Sequence, residues 1–229
     1  MTGGLVSVQG PTLLFEARAI SERNMKVTSI KQQIKRQGRY SIFVDGKYSF
    51  SLSDGALLDQ KIYVGQDVTG QQLKEFKDSS KFDKAYSLTL AYVARRLRSE
   101  WELHDYFRRK DIDEDAGELI IERLRNFGYV NDLNFARSWT DNRRAIKPVS
   151  KRRLNQELRQ KHVPDDVIQQ ILEEDNTSDL QTLRQLVDKK QTQSRYQDSS
   201  KLMQYLARQG YNFDDIKKVL AGDENSEDL

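Results

Sequence analysis

The apolar residues follow two different periods along the chain, and the change of period falls near Gly70. From Met25 to about Leu52, apolar and polar residues alternate, which is typical of β-strands. The dipeptide Asp45-Gly46 separates two alternating runs and predicts a hairpin, because a type I′ turn requires positive φ at both central residues. After Gly70 the apolar residues recur at intervals of three and four, which predicts helices for the rest of the chain.

The register of the predicted hairpin determines which of its residues face a core. A two-residue loop pairs Val44 with Lys47 and Phe43 with Tyr48. Since a hairpin alone is marginal in water, another part of the chain must cover its apolar face. We expect this face to consist of Phe43, Tyr48, Phe50 and Leu52. The candidates for covering it are Leu57, Leu58, Ile62, Val64 and Val68.

Several residues mark helix ends in the second part of the chain. The sequence from Ser99 to Glu102 is a capping box, in which a serine and a glutamate three residues apart satisfy the first backbone N–H groups. Gly128 is expected to end a helix in the left-handed conformation. The other predicted helix starts are Asp113, Asn131, Ser150 and Pro164.

The helical part contains an internal repeat. The segments 158–172 and 206–220 align without a gap, 48 residues apart, and each begins and ends with leucine. The segment 103–113 fits the front half of the same unit. Small helical units in tandem bury their cores against their own and neighbouring helices. We therefore predict a mainly α fold, with tandem three-helix repeat units in an elongated array after a small N-terminal domain that contains the β-hairpin.

These patterns divide the chain into six segments. Residues 1–24 have no clear period, and we expect a disordered extension or a start assigned too far upstream. The other expected segments are a β-rich domain at 25–80, helical repeats at 81–145, 146–178 and 179–222, and an acidic tail at 223–229.

Composition excludes several classes of protein. The 229 residues include no Cys, which excludes disulfides, thiol nucleophiles and zinc fingers, and two His are too few for a histidine-based metal site. No apolar run approaches the length of about 18 residues that a membrane span needs. We expect a cytoplasmic protein that contacts no membrane and binds no cofactor or metal.

Charge is distributed unevenly. The segment 137–161 contains nine basic residues against two acids, and the segment 162–183 contains six acids and no Lys or Arg. A local positive field of this kind favours contact with a polyanion. For any single basic residue, a solvated helix face or a helix C-terminal cap is an equally good explanation.

The candidate residues for polyanion binding form two groups. We expect the basic residues on the helix that starts at Ser150 to point largely outward, because Leu154 and Leu158 face the core. A second group near Ser99 is partly balanced by neighbouring acids. The candidates of the first group are Arg143, Arg144, Lys147, Lys151, Arg152 and Arg153. Those of the second group are Arg95, Arg96, Arg108 and Arg109.

No catalytic motif is present. Gly46-Lys47 is followed by Tyr48 instead of Ser or Thr, so it is not a phosphate-binding loop. The acidic pairs lie at predicted helix starts, where they complement the helix dipole. We expect a binding protein and not an enzyme.

Three ordered motifs resemble the RecX family of bacterial regulatory proteins. An Arg-x-x-Ser-x-x-Glu-Leu helix start is approximated at 95–103. A Leu-x-x-x-Gly-Tyr-apolar-Asp-Asp-x-x-aromatic-Ala motif is matched at 124–136, with Asn131 in place of the first Asp, and a Glu-Leu-x-x-Lys-Gly-apolar motif at 157–163. The resemblance covers roughly residues 25–220, and the hairpin and third unit are similar to the longer Gram-positive-type members. His162 stands where the family has glycine, so a left-handed turn there would cost about 1 kcal/mol.

The resemblance implies a negative modulator of the RecA recombinase, with a place in homologous recombination, DNA repair and the SOS response. Family members are thought to bind the RecA–DNA filament and to limit its growth, ATP hydrolysis and strand exchange. The implied partners are the RecA filament and single- and double-stranded DNA, bound weakly and without sequence specificity. We expect a monomer.

The alternative hypothesis is a helical DNA-binding transcription regulator. Such a protein reads base edges through a recognition helix and discriminates its site by roughly 10³-fold or more. It would need a compact helix-turn-helix and usually a dimer interface, and the tandem repeats indicate neither.

Overall fold

The computed structural model describes residues 24–222, and the chain divides into two compact units between Tyr92 and Val93. Residues 1–23 and the predicted acidic tail at 223–229 lie outside the described part. The first unit contains strands β1 (Met25–Gln32), β2 (Arg39–Val44), β3 (Lys47–Ser53) and β4 (Asp67–Val68), with helices α1 (Asp54–Asp59) and α2 (Gly70–Val93).

The second unit, as far as it is described, consists of helices and one short 3₁₀ turn at Ser194–Tyr196. The helices are α3 (Glu100–Lys110), α4 (Glu114–Asn126), α5 (Asp132–Ile146), α6 (Lys151–Gln160), α7 (Asp165–Glu174), α8 (Asp179–Gln191), α9 (Ser199–Arg208) and α10 (Phe213–Ala221).

The predicted hairpin is confirmed, but the face assigned to two of its aromatic residues is wrong. Asp45 and Gly46 have φ of 49° and 78°, as a two-residue turn of this kind requires. Phe43 pairs with Tyr48, and a bulge then shifts the register so that Ile42 pairs with Phe50. Ile42 and Phe43 follow each other on β2, so the two pairs lie on opposite faces of the sheet, and the extra residue in β3 places Tyr48 on the face opposite to Phe50. Phe43 and Tyr48 are therefore on the face away from the core.

The core of the first unit lies on one face of an antiparallel sheet with strand order β3-β2-β1-β4. Ile62 and Val68 are buried in it and Leu57 packs against it, as predicted, whereas Leu58 and Val64 are exposed. Leu73 and Phe76 of α2 complete the cover. The buried residues of this core are Val27, Ile42, Val44, Phe50, Leu52, Ile62 and Val68.

Helix α2 is anchored to the sheet by a buried ion pair. Arg39 Nη1 lies 2.9 Å from Asp83 Oδ2, and both side chains are at most 10% exposed. The same carboxylate accepts hydrogen bonds from the backbone N–H and hydroxyl of Ser53. The helix continues without a break to Val93, so residue 80, where we predicted a boundary, lies inside it.

Side-chain caps begin four of the eight described helices of the second unit where the sequence predicts them. Ser99, Asp113, Asn131 and Ser150 each accept a hydrogen bond from a backbone N–H two or three residues into the following helix. Gly128 follows α4 with a φ of 74°, the predicted left-handed conformation.

The helices pack as triplets. In one triplet Phe135 of α5 and Leu158 of α6 share a core with Ile168 of α7, and α8, α9 and α10 form an equivalent core around Leu183, Leu202 and Ile216. Helix α5 therefore belongs with α6 and α7, whereas our division after residue 145 placed it in the first repeat. The reason is that the apolar face of α5 packs against Leu158 of α6, the helix that follows it in the chain.

Adjacent repeats are joined by a buried serine. The Ser99 hydroxyl donates to the carbonyl oxygen of Lys161 at 3.0 Å, and the Ser150 N–H donates to that of Gln209 at 3.1 Å. Lys161 and Gln209 are the equivalent C-cap residues of α6 and α9. Both serines are also N-caps and are at most 2% exposed. Each one therefore caps the N-terminus of its own helix and hydrogen-bonds to the next repeat.

A carboxylate completes each of these serine joints. Asp132 accepts from the backbone N–H of Glu100 at 2.9 Å, and Asp179 accepts from that of Lys151 at 3.0 Å. Each acid is the first residue of the helix that begins the next repeat. Each N–H belongs to the first residue of the helix that the serine caps, at the positive N-terminal end of that helix. The two serine joints therefore have the same construction.

Each serine joint needs a left-handed residue directly after its C-cap. His162 has a φ of 52° and Gly210 one of 93°. The predicted left-handed turn at His162 is present, and its ring stacks on Trp101 with centroids 4.3 Å apart, a contact that offsets the backbone cost. At Gly210 a Cβ atom would lie 2.4 Å from Ser150 Oγ and 2.7 Å from Arg153 Cβ.

We expect Gly210→Ala to lower the thermal midpoint more than Gly128→Ala does. Both glycines have positive φ, which costs about 1 kcal/mol for alanine. Only at Gly210 would the added methyl group also collide with neighbouring atoms, which belong to Ser150 and Arg153. Thermal unfolding followed by circular dichroism measures both variants. Equal effects of the two substitutions would show that the second serine joint is not closely packed.

Candidate functional site

The predicted basic region contains two glutamates that gather the surrounding cations. Glu102 accepts hydrogen bonds from Nη1 and Nη2 of Arg96, at 2.9 and 3.0 Å, and from the ammonium of Lys161 at 2.9 Å. Arg98 lies 4.0 Å from the same carboxylate, which is 9% exposed. Burial by itself would raise the pKa of Glu102, but the hydrogen bonds from Arg96 and Lys161 outweigh it and hold the pKa below its ordinary value.

Glu157 forms the second centre. Its Oε2 accepts from Arg143 Nε at 2.7 Å and from Trp139 Nε1 at 3.1 Å, and its Oε1 lies 3.3 Å from Arg153 Nε. The carboxylate is 8% exposed, whereas Arg143 and Arg153 are 29% and 38% exposed. The glutamate is therefore buried under cations that still reach water.

The indole of Trp139 connects the two centres. Arg143 lies 5.1 Å and Lys161 5.3 Å from the centroid of its ring, distances at which a cation is attracted to an aromatic face. We name the whole arrangement the glutamate-anchored cluster. Its members are Arg96, Arg98, Glu102, Trp139, Arg143, Arg153, Glu157 and Lys161.

The cluster has more positive than negative charge. Five cations surround two carboxylates, which leaves three positive charges uncompensated within it. Because the carboxylates and the indole hold the guanidinium groups in place, little side-chain entropy remains to be lost on binding an anion. The arrangement can bind phosphates.

Two of the predicted candidates have a structural role instead of an outward one. Arg144 is 13% exposed and binds Asp175, whose pKa is lowered because the hydrogen bonds from Thr177 and Arg144 outweigh the effect of burial. Lys151 donates to the backbone oxygens of Leu172 and Asp175 at the C-terminal end of α7. The expectation that the cations on the helix after Ser150 point largely outward is wrong for Lys151, because its ammonium caps the C-terminal end of a neighbouring helix.

The remaining candidates are distributed over the surface of the unit. Lys147 and Arg152 are exposed, and within residues 24–222 neither has a carboxylate within salt-bridge distance. Arg95 is exposed as well. Arg108 and Arg109 both lie beside Asp105, and that carboxylate lowers their value as phosphate ligands. The assignment of these residues to DNA or filament binding remains a prediction.

Sequence reasoning missed the glutamates and Trp139 as parts of the site. From the sequence, Glu102 is predicted only to complete a capping box. Their signal in the sequence is weak, because the cations reach them from distant positions: Lys161 is 59 residues from Glu102. Residues 24–222 contain no group of three or more His, Cys, Asp or Glu side chains that could hold a metal ion. Within the same range no helix is both long and apolar enough to cross a membrane.

We expect Glu102→Gln to lower the stability at neutral pH by about 2 kcal/mol, because cations around it lose a buried carboxylate. The pKa of Glu102 in the folded protein lies below its ordinary value of 4.5, so this stabilisation is complete above that value and is lost as the pH falls through the folded pKa. The difference in thermal midpoint between the two proteins should therefore shrink in acid.

The matched control for this prediction is Glu174→Gln, which removes a surface ion pair with Arg137 whose side chains are more than 40% exposed. We expect it to change the thermal midpoint much less than Glu102→Gln does, because an exposed ion pair is screened by water and salt. A midpoint difference for Glu102→Gln that stays constant from neutral to acid pH would contradict the predicted role of the carboxylate.

Four sequence models of one family match consecutive parts of this chain. They describe the N-terminal domain of regulatory protein RecX at 25–69 and the first, second and third three-helix domains of RecX at 85–124, 131–172 and 177–220. The predicted family and the predicted class of fold, tandem three-helix units after a small β region, are thereby confirmed.

Curated relatives support the same family. Regulatory protein RecX of Listeria innocua is 32% identical over 157 residues, which are 69% of this chain and 58% of that protein. Regulatory protein RecX of Lactobacillus gasseri is 32% identical over 148 residues, or 65% and 54% of the two chains. The matches thus span little more than half the length of these relatives.

Two solved structures share the fold. A crystal structure of a regulatory protein RecX superimposes with a TM-score of 0.64 at 24% identity, over 86% of this chain and 99% of that one. The crystal structure of RecX from Lactobacillus salivarius gives a TM-score of 0.52 at 24% identity, over 62% and 96% of the two chains.

Proposed function

The chain belongs to the RecX family of regulatory proteins, and on that premise we propose that it is a negative modulator of the RecA recombinase. It binds the RecA–DNA filament in the cytoplasm and limits filament growth, and with it ATP hydrolysis and strand exchange. The observation that carries the proposal is the order of the four matched domains, which repeats the family's arrangement from residue 25 to residue 220.

The helical unit offers this function a suitable surface. The glutamate-anchored cluster has an excess of positive charge, and Lys147 and Arg152 add two cations without carboxylate partners in the described residues. Such a surface is attracted to a polyanion without reading its sequence. The action we propose is occupancy, in which the bound chain blocks the addition of recombinase subunits, and no chemical step is needed.

The test is the ATPase activity of the recombinase on single-stranded DNA, titrated with this protein. We expect inhibition at well below one molecule per recombinase subunit, because blocking the growing end of a filament requires few molecules. No inhibition at any ratio, with DNA binding intact, would contradict the proposal. It would then favour a transcription regulator, which a search for a specific duplex site would identify.

We expect the double substitution Lys147→Ala with Arg152→Ala to weaken binding to duplex DNA and to leave the thermal midpoint unchanged. Each phosphate contact contributes about 0.9 to the slope of log affinity against log salt, so the slope should decrease by up to about 2. Fluorescence anisotropy over a salt series measures both quantities.

Arg159→Ala is the matched control for this pair. Arg159 is 60% exposed but already lies 3.1 Å from Asp165, so removing it should change DNA binding much less. If the double variant and this control lose the same affinity per positive charge removed, DNA responds only to net charge, and the two unpaired cations are not specific contacts.

A further inference from the structure

The sheet of the first unit has a second face, which carries aromatic rings beside a lysine. The strand register places Ser29, Phe43 and Tyr48 next to each other across β1, β2 and β3. The next row consists of Lys31, Ser41 and Ser51. We name these six residues the outer sheet face.

The bulge positions the two rings, of which Tyr48 is open to solvent and Phe43 is half-buried. Phe43 and Tyr48 meet edge to face with centroids 6.1 Å apart. Tyr48 is 59% exposed. The bulge between β2 and β3 moves Tyr48 to the side opposite Phe50, so its ring contributes nothing to the buried core.

Most of the cations around this face have no carboxylate partner among the described residues. From Lys26 to Ser51 the chain contains six basic residues and a single acid, Asp45. Arg39 is buried against Asp83, and Lys26 lies 3.7 Å from Asp67. Within the described residues 24–222, four cations have no carboxylate within salt-bridge distance: Lys31, Lys35, Arg36 and Lys47. Lys31 Nζ instead lies 5.2 Å from the centroid of Phe43.

This combination of chemistry fits one class of ligand. Exposed rings offer stacking surfaces to unpaired bases, neighbouring lysines attract the phosphates, and serine hydroxyls can donate to phosphate or sugar oxygens. A duplex keeps the faces of its bases inside its own stack, so it cannot use the rings. An apolar protein partner would leave the four unpaired cations without a counter-charge.

We propose that the outer sheet face binds single-stranded nucleic acid, with a base stacked on Tyr48 and the adjoining phosphate near Lys31. This surface belongs to a different unit from the glutamate-anchored cluster, and the inference does not depend on the proposed regulation of RecA. DNA and RNA both supply the base and the phosphate that this face would bind, so both are tested.

The test uses the full chain and labelled oligothymidylate and oligouridylate of about 15 nucleotides, with affinity measured by fluorescence anisotropy. We expect Tyr48→Ala to bind at least about fivefold more weakly to one or both strands. Tyr48→Phe keeps the ring and should bind close to the original affinity. Tyr63→Ala is the matched control, because Tyr63 is 63% exposed in the same unit but lies outside this face.

The second readout locates the contact directly. Oligonucleotides that carry 5-iodouracil are cross-linked by light to aromatic side chains that stack on the base, and the cross-linked peptide is identified by mass spectrometry. We expect the cross-link to lie in the peptide that contains Phe43 and Tyr48, both in the original chain and in the Lys147→Ala, Arg152→Ala double variant. This cross-link in that variant would stand even if the proposed DNA contact of the helical unit failed.

Three results would overturn the proposal. One is unchanged affinity of Tyr48→Ala for both strands, and another is an equal loss in Tyr63→Ala. The third is cross-linking confined to the helical unit. The thermal midpoint of Tyr48→Ala serves as the folding control and should be unchanged, because the removed ring is mostly exposed.

Discussion

The arrangement of the helical repeats depends on two buried serines. Ser99 and Ser150 each cap their own helix and donate a hydrogen bond to the C-cap carbonyl of the equivalent helix in the next repeat. A buried polar group without a partner costs about 1–3 kcal/mol, so adjacent repeats can pack closely only in the register that satisfies both hydrogen bonds. An aspartate at the start of each following repeat supports the same register.

This register also creates the candidate site. The carbonyl of Lys161 that receives the Ser99 hydroxyl belongs to the residue whose ammonium reaches Glu102. The first serine joint therefore brings a cation of the second repeat to a carboxylate of the first, and Trp139 extends the contact toward Arg143 and Glu157. A structural hydrogen bond and a charged surface depend on the same turn, so substitutions in this turn should affect both.

The sequence predicts much of the fold and little of the site. Helix caps, the hairpin turn and the repeat are local patterns, and they hold at Ser99, Asp45-Gly46 and Gly128. The sequence does not predict the bulge between Ile42 and Phe43, because a short alternating run contains no signal for an extra residue in the partner strand. The partners of Arg144 and Lys151 were also missed, since Asp175 and the end of α7 reach them only through tertiary packing.

Action on the recombinase filament, and not on DNA alone, is the function that we propose for this chain. The direct measurement compares its equilibrium binding to preassembled RecA–single-stranded DNA filaments, to the same DNA without recombinase and to recombinase without DNA, at one salt concentration. We expect the filament to bind most tightly and the bare DNA weakly. Equal binding to bare DNA and to the filament, or tight binding to one duplex sequence alone, would contradict the account.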